Sequence, residues 1–338
     1  MPTASHLSRT RVAGREAGFS LPELLIAVAI LMIVSGIATS GLVQATRSQR
    51  GMANRVDMHA AVRSATELLQ QEIGQAGRVT LPGTNPPTLT ADVVPAATTA
   101  TLSSVAGMFV GEQLVIDPGS WNQATSTSSE ETVVVSAVNA GSNEITISRS
   151  VDSGGSTIQT SFAKAHVIGA KVRVSGGFAS GIVPPAPGFT NGSTGSVLKL
   201  YGDINGDGNV IYVEYSCDVA SGVLYRNSMA FDAASKPAVT ASQVLLDNIQ
   251  TNPGSTACFT YMPSPLPVVG GNAYVLDVAI TLTVRTQIKD PTTNQYQVET
   301  KALLNVSPRN VFDVWQLASA GVNNRVQPMP PSVANLLP

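Results

Sequence analysis

From Leu24 to Thr46 no charged side chain interrupts the chain, and that run constrains the fold more than any other feature. About 20 helical residues, at roughly 1.5 Å rise each, cross a hydrocarbon core of about 30 Å, so the segment is long enough to span a bilayer. In the leader before it, Met1 to Gly18, stand Arg9, Arg11 and Arg15 against the single acid Glu16. Positive charge beside an apolar segment stays on the cytoplasmic side, which predicts that the chain beyond Thr46 lies across the membrane. An ordinary secretory signal has the same basic and apolar regions but puts its small-residue cleavage site after the apolar run. Here the small residue, Gly18, comes first. Glu23 then stands at the start of the run, where an unpaired carboxylate in hydrocarbon costs a few kcal/mol and an anchor gains nothing from it.

Leader charge, Gly18-Phe19-Ser20-Leu21-Pro22-Glu23 and the apolar run together resemble the N-terminal signal of the type IV prepilin family. The resemblance implies that a prepilin peptidase cuts after Gly18 and that the new terminus, Phe19, is N-methylated. It also implies that Glu23 is an assembly residue, pairing with the terminal amine of an adjacent subunit.

Beyond the apolar run the helix is expected to continue. Met58, Val62, Ala65, Leu69, Ile73 and Ala76 recur at steps of three or four, while Arg55, Asp57, Arg63, Glu67 and Glu72 are placed on other faces. Gly77 offers a C-cap and Pro82 follows. Gly36, Gly41 and Gly51 weaken helix propensity by up to about 1 kcal/mol each and mark sites of close packing or local melting.

After residue 80, Thr, Ser, Val, Gly and Pro dominate in short alternating runs, a β pattern. One β region, from about Thr88 to Val174, includes strands at Glu112–Ile116, Thr132–Val138, Glu144–Ile147 and Ala170–Val174. A second, from about Val197 to Val306, includes Val197–Tyr201, Val210–Tyr215, Gly222–Arg226, Tyr274–Val284 and Gln295–Leu304. Between them Gly176, Gly177, Gly181, Pro184, Pro185, Pro187 and Gly188 read as a linker, and the Pro-rich end, residues 316–338, as loosely held.

Formal net charge is −2 and aromatic residues make up 5% of the chain, which gives no electrostatic footprint or stacking platform for nucleic acid. Cys217 and Cys258 both follow the apolar run, so they are expected in an oxidising compartment and paired as a disulfide. A catalytic thiol or half a metal site is the weaker alternative, since neither cysteine has a histidine nearby in sequence. Asp203, Asn205 and Asp207, with Gly208 for the turn and Glu214 to close the shell, have the spacing of a calcium loop. The same residues also read as a hairpin, because Asn205-Gly206 and Asp207-Gly208 are turn dipeptides without flanking EF-hand helices. Calcium is the one cofactor considered. His6, His59 and His166 are scattered, with His166 read as a turn residue, and no nucleophile elbow, zinc-protease helix or phosphate loop occurs, so no enzyme is expected.

The expected fold is α+β: a long N-terminal pilin helix packed on a C-terminal antiparallel β-sheet domain, with an inserted β-rich module. The expected divisions are a leader (1–18), an apolar helix (19–46), its amphipathic continuation (47–82), the inserted module (83–182), the C-terminal β domain (183–315) and a Pro-rich tail (316–338). The inserted module, with Val110–Asp117, Glu131–Val135 and Ala165–Ala170, looks like small β modules of bacterial secreted proteins. Ile211–Tyr215, Gly222–Arg226, Val244–Asn248 and Ser307–Asn310 add a resemblance to large minor pilins of the PilW kind. That resemblance implies a subunit initiating or capping a type IV pilus, partnered by major and minor pilins and placed in the inner membrane with its globular part in the periplasm. Its alternatives are a minor pseudopilin of type II secretion and a tip-displayed adhesin.

Overall fold

The computed structural model describes residues 18–83, 85–123, 127–152 and 158–338; the leader before Gly18, with His6, lies outside the described residues. Helix α1 runs Leu21–Gln75, 55 residues without a break. The chain forms two compact units, Met1–Ala53 with Lys289–Gln295, and Asn54–Ile288 with Tyr296–Pro338.

In the first unit the apolar side chains of α1, among them Leu24, Ile26, Leu31, Ile33 and Ile37, are exposed. The helix is long and apolar enough to cross a membrane. Gly36 and Gly41 face open space, while Gly51 is buried with the Asp290 carboxylate beside it.

In the second unit the rest of α1 is amphipathic. Val62, Ala65, Leu69 and Ile73 form one fully buried stripe, as their spacing predicts. The helix ends because Gly77 takes a left-handed backbone, φ +82°, which an L side chain tolerates poorly. Asn310 Nδ2 donates to the freed carbonyls of Gln75 and Ala76 at 3.1 and 3.3 Å.

Next comes an antiparallel sheet with its own apolar core. Its strands are β1 (Thr99–Thr101), β2 (Gln113–Ile116), β3 (Glu131–Asn139), β4 (Glu144–Asp152), β5 (Ile158–Gln159) and β6 (Val172–Val174). The order is β1-β4-β3-β2-β6, with β5 also on β4. Alternating Leu114, Ile116, Val133, Val135, Ile145 and Ile147 meet Leu89, Leu102 and Phe162 inside.

After the short strand β7 (Gly177–Phe178), a second sheet forms from β8 (Val197–Gly202), β9 (Ile211–Asp218), β10 (Val223–Ala230) and β11 (Val244–Asp247), antiparallel in chain order. Asn248, at φ +61°, then turns the chain into a third sheet. There β14 (Asp277–Arg285) pairs with β12 (Ile249–Gln250) and β13 (Phe259–Met262), and with β15 (Val298–Val306). Helix α2 (Arg309–Ser319), strand β16 (Val326–Gln327) and helix α3 (Pro331–Leu336) complete the chain. This is the expected α+β fold.

The second sheet is apolar on both faces. Leu198, Leu200, Val213, Tyr215 and Leu224 meet the α1 stripe, and the third sheet contributes Phe259, Val278, Ile280 and Leu282 to the same core. On the other face Tyr201 and Tyr212 pack with Phe178, Val183, Val333 and Leu336. Two expectations are corrected here. The Gly- and Pro-rich stretch is no linker, since residues 177–184 are buried, and the end of the chain is no loose tail, since Val333 and Leu336 are core. Both are drawn in because the outer face of a two-sided sheet needs cover, and composition alone does not reveal that need. Glycine is required in the first stretch: an added Cβ at Gly181 would fall 2.2 Å from the Gly77 Cα.

Glu72 is a third correction. It is buried, and its carboxylate receives the Arg226 guanidinium, with both Nε–O distances 3.1 Å, and the Tyr215 hydroxyl. Burial first, and the adjacent carboxylate second, push the Tyr215 phenol well above its usual range. The cluster ties α1 to β9 and β10. Removing one member of such a pair strands the others, so Glu72→Ala should cost about 3 kcal/mol, the low end for a buried pair because Arg226 keeps some solvent. Urea unfolding of the detergent-solubilised chain measures it, and a loss below about 1 kcal/mol would mean a pair that behaves as a surface one.

Candidate functional site

The first turn of α1 is built by three residues. The Leu24 amide donates to the Ser20 carbonyl at 3.1 Å, which makes Ser20 the N-cap. Pro22 lies within the first turn, where its missing amide costs nothing and its fixed φ suits a helix. Glu23, three residues after the cap, has the spacing of a capping box, and Ser20 Oγ donates to its Oε2 at 3.5 Å. A carboxylate there also complements the positive end of the helix dipole.

Gly18 and Phe19 precede the helix in open chain. Nothing lies within 4 Å of where a Gly18 Cβ would be, and Phe19 is 80% exposed. The Gly18–Phe19 peptide bond is thus accessible to an enzyme, and an amine created at Phe19 would stand one residue before the helix cap. The apolar side chains that follow are exposed, a surface suited to lipid or to other apolar helices and poorly suited to water.

Cys217 on β9 and Cys258 beside β13 form a disulfide 41 residues apart in sequence, with Cα atoms separated by 6.5 Å. It joins the second and third sheets. Closing a loop of that length stabilises the fold by about 4 kcal/mol on the chain-entropy argument.

The fold brings Asp203, Asn205 and Asp207 together and leaves Glu214 elsewhere. Asp203 is fully buried. Its Oδ2 accepts from Thr80 Oγ1 at 2.9 Å and faces Arg78 Nε at 3.6 Å, and its Oδ1 accepts the Gly208 amide at 3.3 Å. Asn205 donates to Asp207, whose other oxygen accepts the Asn209 amide; that bond above all holds the Asp207 carboxyl below its usual value. Glu214 is in mid-strand on β9, where it accepts from Lys236 Nζ at 2.6 Å and from the Tyr212 hydroxyl at 2.9 Å. The four-residue calcium shell is therefore not assembled, because strand pairing directs Glu214 to Lys236 while Arg78 supplies the positive charge beside Asp203. Among the described residues no three His, Cys, Asp or Glu side chains converge on a metal position.

His59 pairs with Glu299 on the surface of the second unit. His166 is a further correction, for it is a buried residue in a β-bridge to Val93 and not a turn residue. Its Nε2 lies 2.9 Å from Glu131 Oε1, and Glu131 Oε2 accepts the Ala163 amide at 3.0 Å. Sequence reading missed this pair and the Glu72 cluster. The available signal was an acid adjoining an apolar stripe or opening a β run, which reads identically at the surface.

A family model described as the prokaryotic N-terminal methylation motif matches residues 14–39. The match covers the Gly18 to Glu23 signal and the first part of the apolar helix. Neither the curated proteins nor the solved structures include a significant match to this chain. The motif is the substrate signal for prepilin peptidase, and it indicates a membrane-anchored protein that is type IV pilin-like or a pseudopilin. Mass spectrometry of the mature protein should find N-methylated Phe19 as the first residue. A terminus beyond residue 30 would mean a conventional signal peptide.

Proposed function

We propose that this chain is a minor pilin that helps to initiate or cap a type IV pilus and acts by assembly without catalysis. Before assembly it sits in the inner membrane as a single-pass protein with its sheets in the periplasm. The observation that carries the reading is the methylation motif over residues 14–39 joined to a helix whose apolar half is exposed. Support for a minor role comes from the bulk of the chain. An additional sheet from Thr99 to Val174 stands before the two that pack on α1, and subunits so enlarged would crowd the lateral contacts of a repeating shaft.

In this reading prepilin peptidase releases the leader after Gly18, and the Phe19 amine becomes the positive partner for a Glu23 in the neighbouring helix. Helix association is otherwise apolar and has no preferred register, so the charge pair sets it. The cost of burying Glu23 explains why an acid at this place needs such a partner. A minor pseudopilin of type II secretion would use the same motif and helix.

Deletion of the gene separates the two. Loss of surface pili with secretion of enzymes unchanged is the expected result; loss of secretion with pili intact would assign a pseudopilin, and no effect on either would overturn both. Glu23→Ala should still insert and be cleaved. It should not co-purify with other pilins, since the unpaired amine costs about 3 kcal/mol, over a hundredfold in an association constant.

A further inference from the structure

The turn from Met108 to Gln113 seats the first sheet on the C-terminal strap, residues 323–337, and it encloses a carboxyl group. Phe109 packs on Phe178 and Phe231 with ring centroids 5.9 and 6.2 Å apart, in the cluster that holds Val333 and Leu336. Gly111 abuts Pro328. Gln113 and Gln327 bond reciprocally: the Gln113 amide donates to Gln327 Oε1 at 2.9 Å, and Gln327 Nε2 donates to the Gln113 carbonyl at 2.8 Å. Gln113 Nε2 donates in addition to the Val326 carbonyl at 2.6 Å, and Gln327 Nε2 to that of Ser175 at 3.0 Å.

Between Gly111 and Gln113 stands Glu112, fully buried. Its Oε2 accepts the Phe109 amide at 3.3 Å, and among the described residues its Oε1 has no partner. The turn carries no charged residue besides Glu112, and α3 carries none. Of the charged residues on the neighbouring elements, Glu131 on β3 is held by His166, Arg173 on β6 and Asp232 after Phe231 are exposed, Arg325 lies in the strap, and Arg78, Arg226 and Lys236 pair with Asp203, Glu72 and Glu214; among the described residues none forms an ion pair with Glu112. An ionised carboxylate in this position has neither a counter-charge nor a full set of donors, and burying it so is costly.

We propose that Glu112 is a proton-dependent latch: protonated, it lets the turn stay seated on the strap, and its ionisation favours a locally opened state in which the carboxylate reaches water. Burial is the main influence on the group and pushes it up from 4.5 to about 8, with the Phe109 amide pulling weakly the other way. In the opened state it regains the ordinary value. The seated state therefore binds the extra proton. Its advantage is complete below about 4.5, shrinks as pH rises through the interval to about 8, and levels off above that, by at most about tenfold in the opening equilibrium per pH unit. The latch would hold the first sheet rigidly on the strap in acid and loosen it towards alkaline pH.

Hydrogen exchange of the full chain in detergent, read by mass spectrometry at pH 6 and pH 8 with the intrinsic chemical rates divided out, tests the proposal. Peptides covering 109–113 and 323–328 should lose protection by about fiftyfold, while β14 loses far less. Glu112→Gln, which removes the titration, should show equal protection at both pH values, and Glu112→Leu serves if the amide variant does not accumulate. Wild-type protection at the latch that is independent of pH, or the same loss in wild type and variant, would overturn the proposal.

Discussion

Burial of Val62, Ala65, Leu69 and Ile73 beneath two sheets is the contact on which the rest of the chain depends. Each large apolar side chain removed from water contributes about 1.5–3 kcal/mol, and here they lie on one face of a helix whose preceding turns are exposed and apolar. The helix thus answers to two solvents. Up to Thr46 its side chains suit lipid or other helices, and from residue 54 one stripe suits the protein's own core. The continuity of α1 through Gly36, Gly41 and Gly51 keeps the anchoring part and the folded part on a single element.

The second and third sheets close that core from the outside, while the first sheet has a core of its own. The second sheet covers the helix, and its other face must then be covered in turn, which is why residues 177–184, α3 and the aromatic cluster of Phe109, Phe178 and Phe231 converge there. Polar groups add direction to what apolar packing leaves loose. Glu72 with Arg226 and Tyr215 ties the helix to two strands, Asn310 closes the helix end, and the Gln113–Gln327 pair joins the first sheet to the strap. The disulfide crosses from the second sheet to the third, where the chain otherwise passes only through Asn248.

Much of this was legible in the residues, because it rests on periodicity. The helix stripe, its stop at Gly77 and the long strands at 131–139, 211–218 and 298–306 follow from spacing and turn chemistry. Less was legible where tertiary context overrides composition. A segment rich in Gly and Pro became core because Gly77 and Gly181 must nearly touch, and a Pro-rich end became a strap because an aromatic face lay open. Glu72 read as lying off the buried stripe and His166 as a turn residue, and nothing in the spacing revealed the burial of Glu112 and Glu131; only long-range packing buries them. The signal at Gly18 to Glu23 needs no tertiary context, which is why it was the plainest functional feature. The calcium spacing illustrates the converse, for Glu214 met the pattern in sequence and Lys236 in space.

The division of α1 into a half that serves the surroundings and a half that serves the fold is tested most directly by two matched truncations in the full chain. Leu69 is fully buried and Leu31 is 64% exposed on the same helix. Urea unfolding in detergent should show Leu69→Ala destabilising the β-rich unit by about 2–5 kcal/mol, the range for a leucine cavity, and Leu31→Ala leaving the midpoint unchanged. Equal losses from the two substitutions, or a larger loss from Leu31→Ala, would contradict the account.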